Sequence, residues 1–244
     1  MKHLLLFVFI ACSLFSRAQI AQGKIKIYFN HPVNTAVSSG VNASYVSNAL
    51  DDTLINYINR AKHSIDIAQY DYTSPSSIAT AVNNAYSRGV TIRWVYDGSS
   101  PNSSLSQLNA NIHTLASPTS SSYGIMHHKY VIFDAASADS TDAIVWTGSA
   151  DWSNDQVNKD YNNIIILQSQ ALAQAYTAEF NQMWGSTTAT PNQANSKFGP
   201  YKTHVNTGPF VIGGVTVELF FSPTDSVNNH ILNAINSANS QLFF

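Results

Sequence analysis

Apolar residues recur in two rhythms along this chain, and their alternation predicts a layered α/β domain. Ile25, Ile27 and Phe29 alternate with polar neighbours, as in a strand with one buried face. Leu54, Ile55, Ile58 and Ala61 fall at helical spacing behind Asp51 and Asp52, either of which can cap the helix. Residues 64–70 read as a strand, 76–87 as a helix closed by Gly89, and 90–96 as a strand stopped by Asp97-Gly98. Strand, helix, strand, helix, strand is the order that builds parallel pairs. The expected fold is therefore α/β, a mixed but mostly parallel sheet flanked by helices. Residues 129–133, 143–146 and 164–167 add short apolar strands, and 171–184 an amphipathic helix. Trp94, Trp146, Trp152 and Trp184 are expected in the core or in a groove wall.

A Gly-, Pro-, Thr- and Asn-rich stretch follows and lacks sustained periodicity, so it reads mainly as a connector. Beyond it the pattern of the start returns. Gly214 to Pro223 has the layout of Gly23 to Pro32: a glycine, an apolar strand and a closing proline ten positions long in both cases. Leu232-Asn233-Ala234-Ile235-Asn236-Ser237-Ala238 echoes Ile55-Asn56-Tyr57-Ile58-Asn59-Arg60-Ala61, and Leu242 and Phe244 then fall where Ile65 and Ile67 sit, at an offset of 177. The expected organisation is a leader over 1–18, a first domain over 19–190, a connector over 191–213 and the beginning of a second, truncated copy over 214–244.

The leader changes where the protein is expected to work. Lys2 and His3 precede an apolar run over 4–11, and Ser16-Arg17-Ala18 puts small residues at −3 and −1 of a cut before Gln19. That run is too short to span a bilayer, so the expectation is a secreted or periplasmic protein. Lipoprotein anchoring at Cys12 is the weaker alternative. Cys12 is the only cysteine and leaves with the leader, so no disulfide or thiol chemistry is expected of the rest. Only 11% of the 244 residues are charged, with a formal net charge of −2 that becomes −4 once Lys2 and Arg17 are removed. Such a balance provides no general footprint for a polyanion, which disfavours nucleic acid as partner.

Chemistry concentrates in Met126-His127-His128-Lys129-Tyr130-Val131-Ile132-Phe133-Asp134 and in Thr147-Gly148-Ser149-Ala150-Asp151-Trp152. Residues two apart on a strand share a face, so His127 and Lys129 project together and His128 projects away from them. An imidazole beside an ammonium suits phosphoryl chemistry: the ring is a nucleophile or acid–base near neutral pH, and the ammonium neutralises charge on phosphate oxygens. Asp134 has the opposite parity at the strand end, where it can bind the scaffold. His31, His63, His113, His204 and His230 lack ligand spacing, so no metal site is expected.

His127-x-Lys129, four residues, Asp134 and a downstream Gly148-Ser149 resemble the HKD signature of the phospholipase D superfamily. The gap from Asp134 to Gly148 is longer than that family's usual one and reads as an extended hairpin turn. The resemblance implies His127 as nucleophile or general acid, Lys129 as phosphate ligand, Ser149 as a hydrogen-bonding partner, and no cofactor. Two positions depart from it. Asp151 stands where the family usually has Asn, and its charge would repel a phosphate unless turned away or protonated. Asn162 stands where an acidic residue often orients the histidine. The resemblance further implies two motifs paired across a two-fold axis, so the second half must come from a missing C-terminal repeat or from a homodimer. The function it implies is a secreted phosphodiesterase hydrolysing a phospholipid through a phosphohistidine. The rivals are a nuclease on the same scaffold and a non-catalytic phosphate-binding module.

Overall fold

The computed structural model describes residues 24–37, 42–205 and 208–242; the expected leader and Cys12 lie outside them, as does Phe244. The elements are β1 (Ile25–Phe29), β2 (Ser44–Tyr45), α1 (Leu50–Arg60), β3 (Ser64–Gln69), α2 (Ser76–Ser87), β4 (Thr91–Tyr96), β5 (His113–Ala116), β6 (Lys129–Phe133), β7 (Ile144–Gly148), α3 (Asn154–Asn158), β8 (Asn163–Gln168), α4 (Gln170–Trp184), β9 (Phe210–Ile212), β10 (Val215–Val217) and α5 (Val227–Asn236). The first eight strands form one sheet in the order β2-β1-β8-β7-β6-β3-β4-β5.

The layered α/β class is the one the sequence pattern predicts, but the balance of strand directions differs. The pairs β1/β2, β3/β4 and β4/β5 are parallel, whereas β1/β8, β8/β7, β7/β6 and β6/β3 are antiparallel. The cause is the second half of the domain: β6, β7 and β8 follow one another without a crossover helix, and this meander inserts between β1 and β3.

Period-two alternation sends the two faces of β6 into different cores. Val131 and Phe133 join the apolar layer under α1 and α2, with Leu54, Ile58 and Val82. Tyr130 and Ile132 join the layer under α4, with Leu172, Phe180 and Trp184. All four tryptophans are buried. Asp51 and Asp52 do not cap α1. Its N-cap is Ala49, which makes no side-chain bond, and both aspartates lie in the first turn, where they still favour the helix dipole.

The stretch expected as a connector is packed. Phe198, Val205, Phe210 and Ile212 fill the α4-side core, and Lys202 is buried against Glu179 of α4. Turns and single apolar anchors do this without any repeating period, so periodicity could not reveal it. β9 and β10 form their own two-stranded antiparallel pair, and α5 buries none of its residues.

Candidate active site

The site forms where β3, β6 and β7 end at one edge of the domain. β3 and β6 pair in register from Ile65↔Phe133 to Gln69↔Lys129, and Tyr70 N then donates to His128 O at 2.9 Å. The chain just before β6 is thus held extended, and His127 and Lys129 keep the common face their spacing predicts. Lys129 Nζ lies 3.2 Å from His127 Nε2. An ammonium donating there needs the lone pair on Nε2, so the neutral ring carries its proton on Nδ1. The His127 ring meets Tyr70 edge-on at 4.6 Å, and Lys129 Nζ sits 5.1 Å from the Tyr70 ring centroid. Partial burial, then the Lys129 charge, hold the His127 pKa below the ordinary histidine value.

Lys129 has a second partner, and it answers the question raised by the charge at position 151. Asp151 Oδ1 accepts from Lys129 Nζ at 3.1 Å and from Gln69 Nε2 at 3.2 Å. The carboxylate is turned onto the ammonium. Burial raises its pKa, against the pull of Lys129.

Gly148 closes β7 where no side chain fits: a Cβ there would stand 2.1 Å from Asn163 O. This close approach brings Ser149 against β8. Ser149 Oγ donates to Asn162 Oδ1 at 2.7 Å and accepts from Asn163 N at 3.1 Å. Asn162 Nδ2 in turn donates to Gln156 O at 2.8 Å and to Gln156 Oε1 at 3.2 Å. Asn162 therefore serves Ser149 and α3, and its amide is taken up there rather than by the His127 ring.

Asp134 lies at the far end of β6 from His127, buried and with φ of 51°. Its carboxylate accepts from Lys62 N at 2.9 Å, His63 N at 2.7 Å and Ser64 N at 2.9 Å, which fixes the start of β3. It belongs to the scaffold, outside the pocket. Asp134→Ala leaves three backbone donors without their acceptor in a left-handed conformation that alanine resists, and is expected to cost about 3 kcal/mol. In a thermal melt this lowers Tm by roughly 6–12 °C. Asp134→Asn keeps an acceptor and tolerates that backbone, so it is expected to cost less; equal stability of the alanine variant and the parent would contradict the assignment.

Sequence reading missed four contributors. Gln69 and Tyr70 come from the end of β3 and carry no motif. Asp97, read only as part of a turn, accepts from Met126 N at 2.7 Å, which pins the residue before His127. Burial would raise its carboxyl, but hydrogen bonds from Ser99, Met126 and Ser117 outweigh this and hold the pKa below the usual carboxylate value. Glu179 is the partner of His128, whose Nε2 lies 3.3 Å from Glu179 Oε1. His128 is thus the hydrogen-bonded neighbour its parity predicts, and burial pushes its pKa down. Above the pair lies an open hollow of about 420 Å³ lined by His127, Lys129, Thr147, Ser149 and Phe220.

The chain is similar to known proteins. The family described as "Cardiolipin synthase, PLD-like domain" matches residues 54–184, more than half of the chain and all of the motif residues. A mitochondrial cardiolipin hydrolase of Xenopus tropicalis is 30% identical over 132 residues, 54% of this chain and 59% of that protein. A phospholipase D of Rickettsia conorii is 30% identical over 128 residues, 50% of this chain and 58% of that protein. The chain spans less than two thirds of the length of either relative. Among solved structures, the phospholipase D family member Nuc from Salmonella typhimurium is 19% identical, with a TM-score of 0.49, over 67% of this chain and 95% of that one.

Proposed function

The chain belongs to the phospholipase D-like family, and from that premise we propose that it is an exported phosphodiesterase that hydrolyses a phospholipid through a covalent phosphohistidine. The observation that carries this reading is the 3.2 Å approach of Lys129 Nζ to His127 Nε2 at the mouth of an open hollow. As the phosphate enters, Lys129 leaves Nε2 for the phosphate oxygens; the freed His127 Nε2 attacks phosphorus, a P–N bond forms, and the P–O bond to one alcohol breaks. Lys129 balances the charge on the phosphate oxygens. The leaving oxygen needs a proton from a second imidazole, because His127 is by then bonded to phosphorus. Water then attacks phosphorus, gives its proton to that second imidazole, and the P–N bond breaks to regenerate His127.

A second half of this kind supplies the other histidine, from a following repeat or from a second copy of the chain. The echo at an offset of 177 supports the repeat: α5 starts at Val227, 177 positions after the start of α1 at Leu50. Where α1 buries Leu54, α5 leaves Ile231 54% exposed. Export rests on the leader read over 1–18. A lipid rather than a polynucleotide is supported by the charge of −4 without that leader, by the pairing of Lys129 with Asp151 and of Lys202 with Glu179, and by the names of the relatives.

The test is turnover of three substrates by the full chain: cardiolipin in detergent micelles, single-stranded DNA, and bis-p-nitrophenyl phosphate. Release of phosphatidic acid from cardiolipin is expected. Cleavage of DNA with the lipid left intact would establish the nuclease reading instead, and silence on all three by the chain assembled with its second half would leave a phosphate-binding module.

A further inference from the structure

A second, larger hollow of about 680 Å³ adjoins the first, and His127, His128, Phe220 and Phe221 line both. Its size is that of a site for a small organic ligand. Its walls are mostly apolar: Ile125 at the mouth, then Met126, Met183, Phe198 and Pro223. The one ammonium in its lining, Lys202, is taken up by Glu179 and by Ser222 O at 3.1 Å.

Much of this hollow is built by residues beyond 184, outside the stretch matched by the family. They are held in place individually. Asp225 accepts from Phe221 N at 2.8 Å and from His204 Nδ1 at 2.8 Å, while Phe221 packs edge-on against His128 and Tyr176. Phe220 stacks on His230 with ring centroids 3.6 Å apart. The two phenylalanines thus form a fixed partition between a polar hollow and an apolar one, with the His127 imidazole reaching both.

We infer that the larger hollow is a subsite for the hydrocarbon side of the substrate. With the phosphate at His127 and Lys129, the glyceryl ester and the first acyl carbons lie between Ile125, Met183 and Phe198. The alcohol that leaves then faces the Ser149 hollow. This deepens the lipid reading above and rests on it. It also gives the packed extension after α4 a role: it selects diesters whose one substituent is apolar near the phosphorus.

Acyl length is the probe. Monomeric dibutanoyl and dihexanoyl phosphatidylglycerol, each below its micelle concentration, are titrated calorimetrically into the full chain and into Ile125→Asp. Ile125 is 57% exposed, so the substitution leaves the core intact. Wild-type affinity is expected to rise by at least about tenfold from four to six carbons, because each methylene removed from water contributes roughly fourfold. In Ile125→Asp the gain is expected to shrink to under about threefold, since a carboxylate at the mouth must lose water when hydrocarbon enters. Charge repulsion alone would weaken both lipids equally and leave the ratio unchanged. A flat length dependence in the wild type, or the same ratio in the variant, overturns the subsite. Hydrolysis of the same lipids is scored separately: length-dependent binding without turnover defeats the phosphodiesterase reading alone, and turnover without length dependence defeats the subsite alone.

Discussion

Replacing His127 with glutamine is expected to lower kcat/KM on a phosphodiester by about ten-thousandfold, the scale seen when a nucleophile is removed and the remaining site only binds. The fold should not notice the change. His127 is exposed, and its polar side-chain contact is with Lys129. Tm is therefore expected to stay within about 2 °C of the parent, in the usual range for surface substitutions. The pH profile gives an independent readout. The ring attacks only when neutral, and partial desolvation of the ring together with Lys129 holds its pKa below the ordinary histidine value. Activity is lost as pH falls through that lowered pKa, so the acidic limb lies below 6.5. An alkaline denaturing quench during turnover should trap the phosphatidyl group on the peptide that contains His127, because the P–N bond survives base and is lost in acid. Retention of activity within tenfold by the glutamine variant, or an adduct on a different histidine, would remove His127 from the role proposed here.

How much of this was legible in sequence depends on the range of the signal. β6 was readable to the residue, because a short apolar run is a local pattern and Asp134 ends it. The shared face of His127 and Lys129 followed from the same parity. Gln69 and Tyr70 were invisible as site residues: they reach Lys129 and His127 only because β3 pairs with β6 across an intervening helix and two strands. Asn162 was readable in position but not in partner. The family analogy points it at the histidine, whereas the close approach enforced at Gly148 brings Ser149 to it first. β5 and α3 are four and five residues long, too short for either period to register. The β6/β7 hairpin was expected from its turn, but the antiparallel pairings of β8 with β7 and β1 and of β6 with β3 were not, since strand spacing alone does not say which neighbour a strand will choose.

The same distinction between local and long-range signals decides what Asp151 does. Its sequence position suggests a charge aimed at the phosphate, but its oxygen is bound to Lys129 and Gln69. An incoming phosphate must share or displace that carboxylate, because an ammonium cannot serve both anions at full strength. Asp151→Asn keeps the amide oxygen as a hydrogen-bond acceptor and removes the competing charge, and is expected to raise kcat/KM by about tenfold, mostly through KM. Lys129→Met removes the ligand itself and is expected to cost about a thousandfold, as loss of a group that stabilises transition-state charge does. The two substitutions share one partner, so they should not add: in the Lys129→Met background, Asp151→Asn is expected to gain less than about twofold. pH separates this account from simple repulsion. Burial raises the Asp151 pKa, so as the medium is acidified the carboxyl takes up a proton early and releases Lys129 in the wild type, while His127 begins to be protonated and lost as nucleophile. The advantage of Asp151→Asn should therefore shrink as pH is lowered and be largest near neutrality. If the asparagine helps equally with and without Lys129, Asp151 acts on the phosphate directly; if the asparagine abolishes activity, the carboxylate is required and its grip on Lys129 is part of the working site.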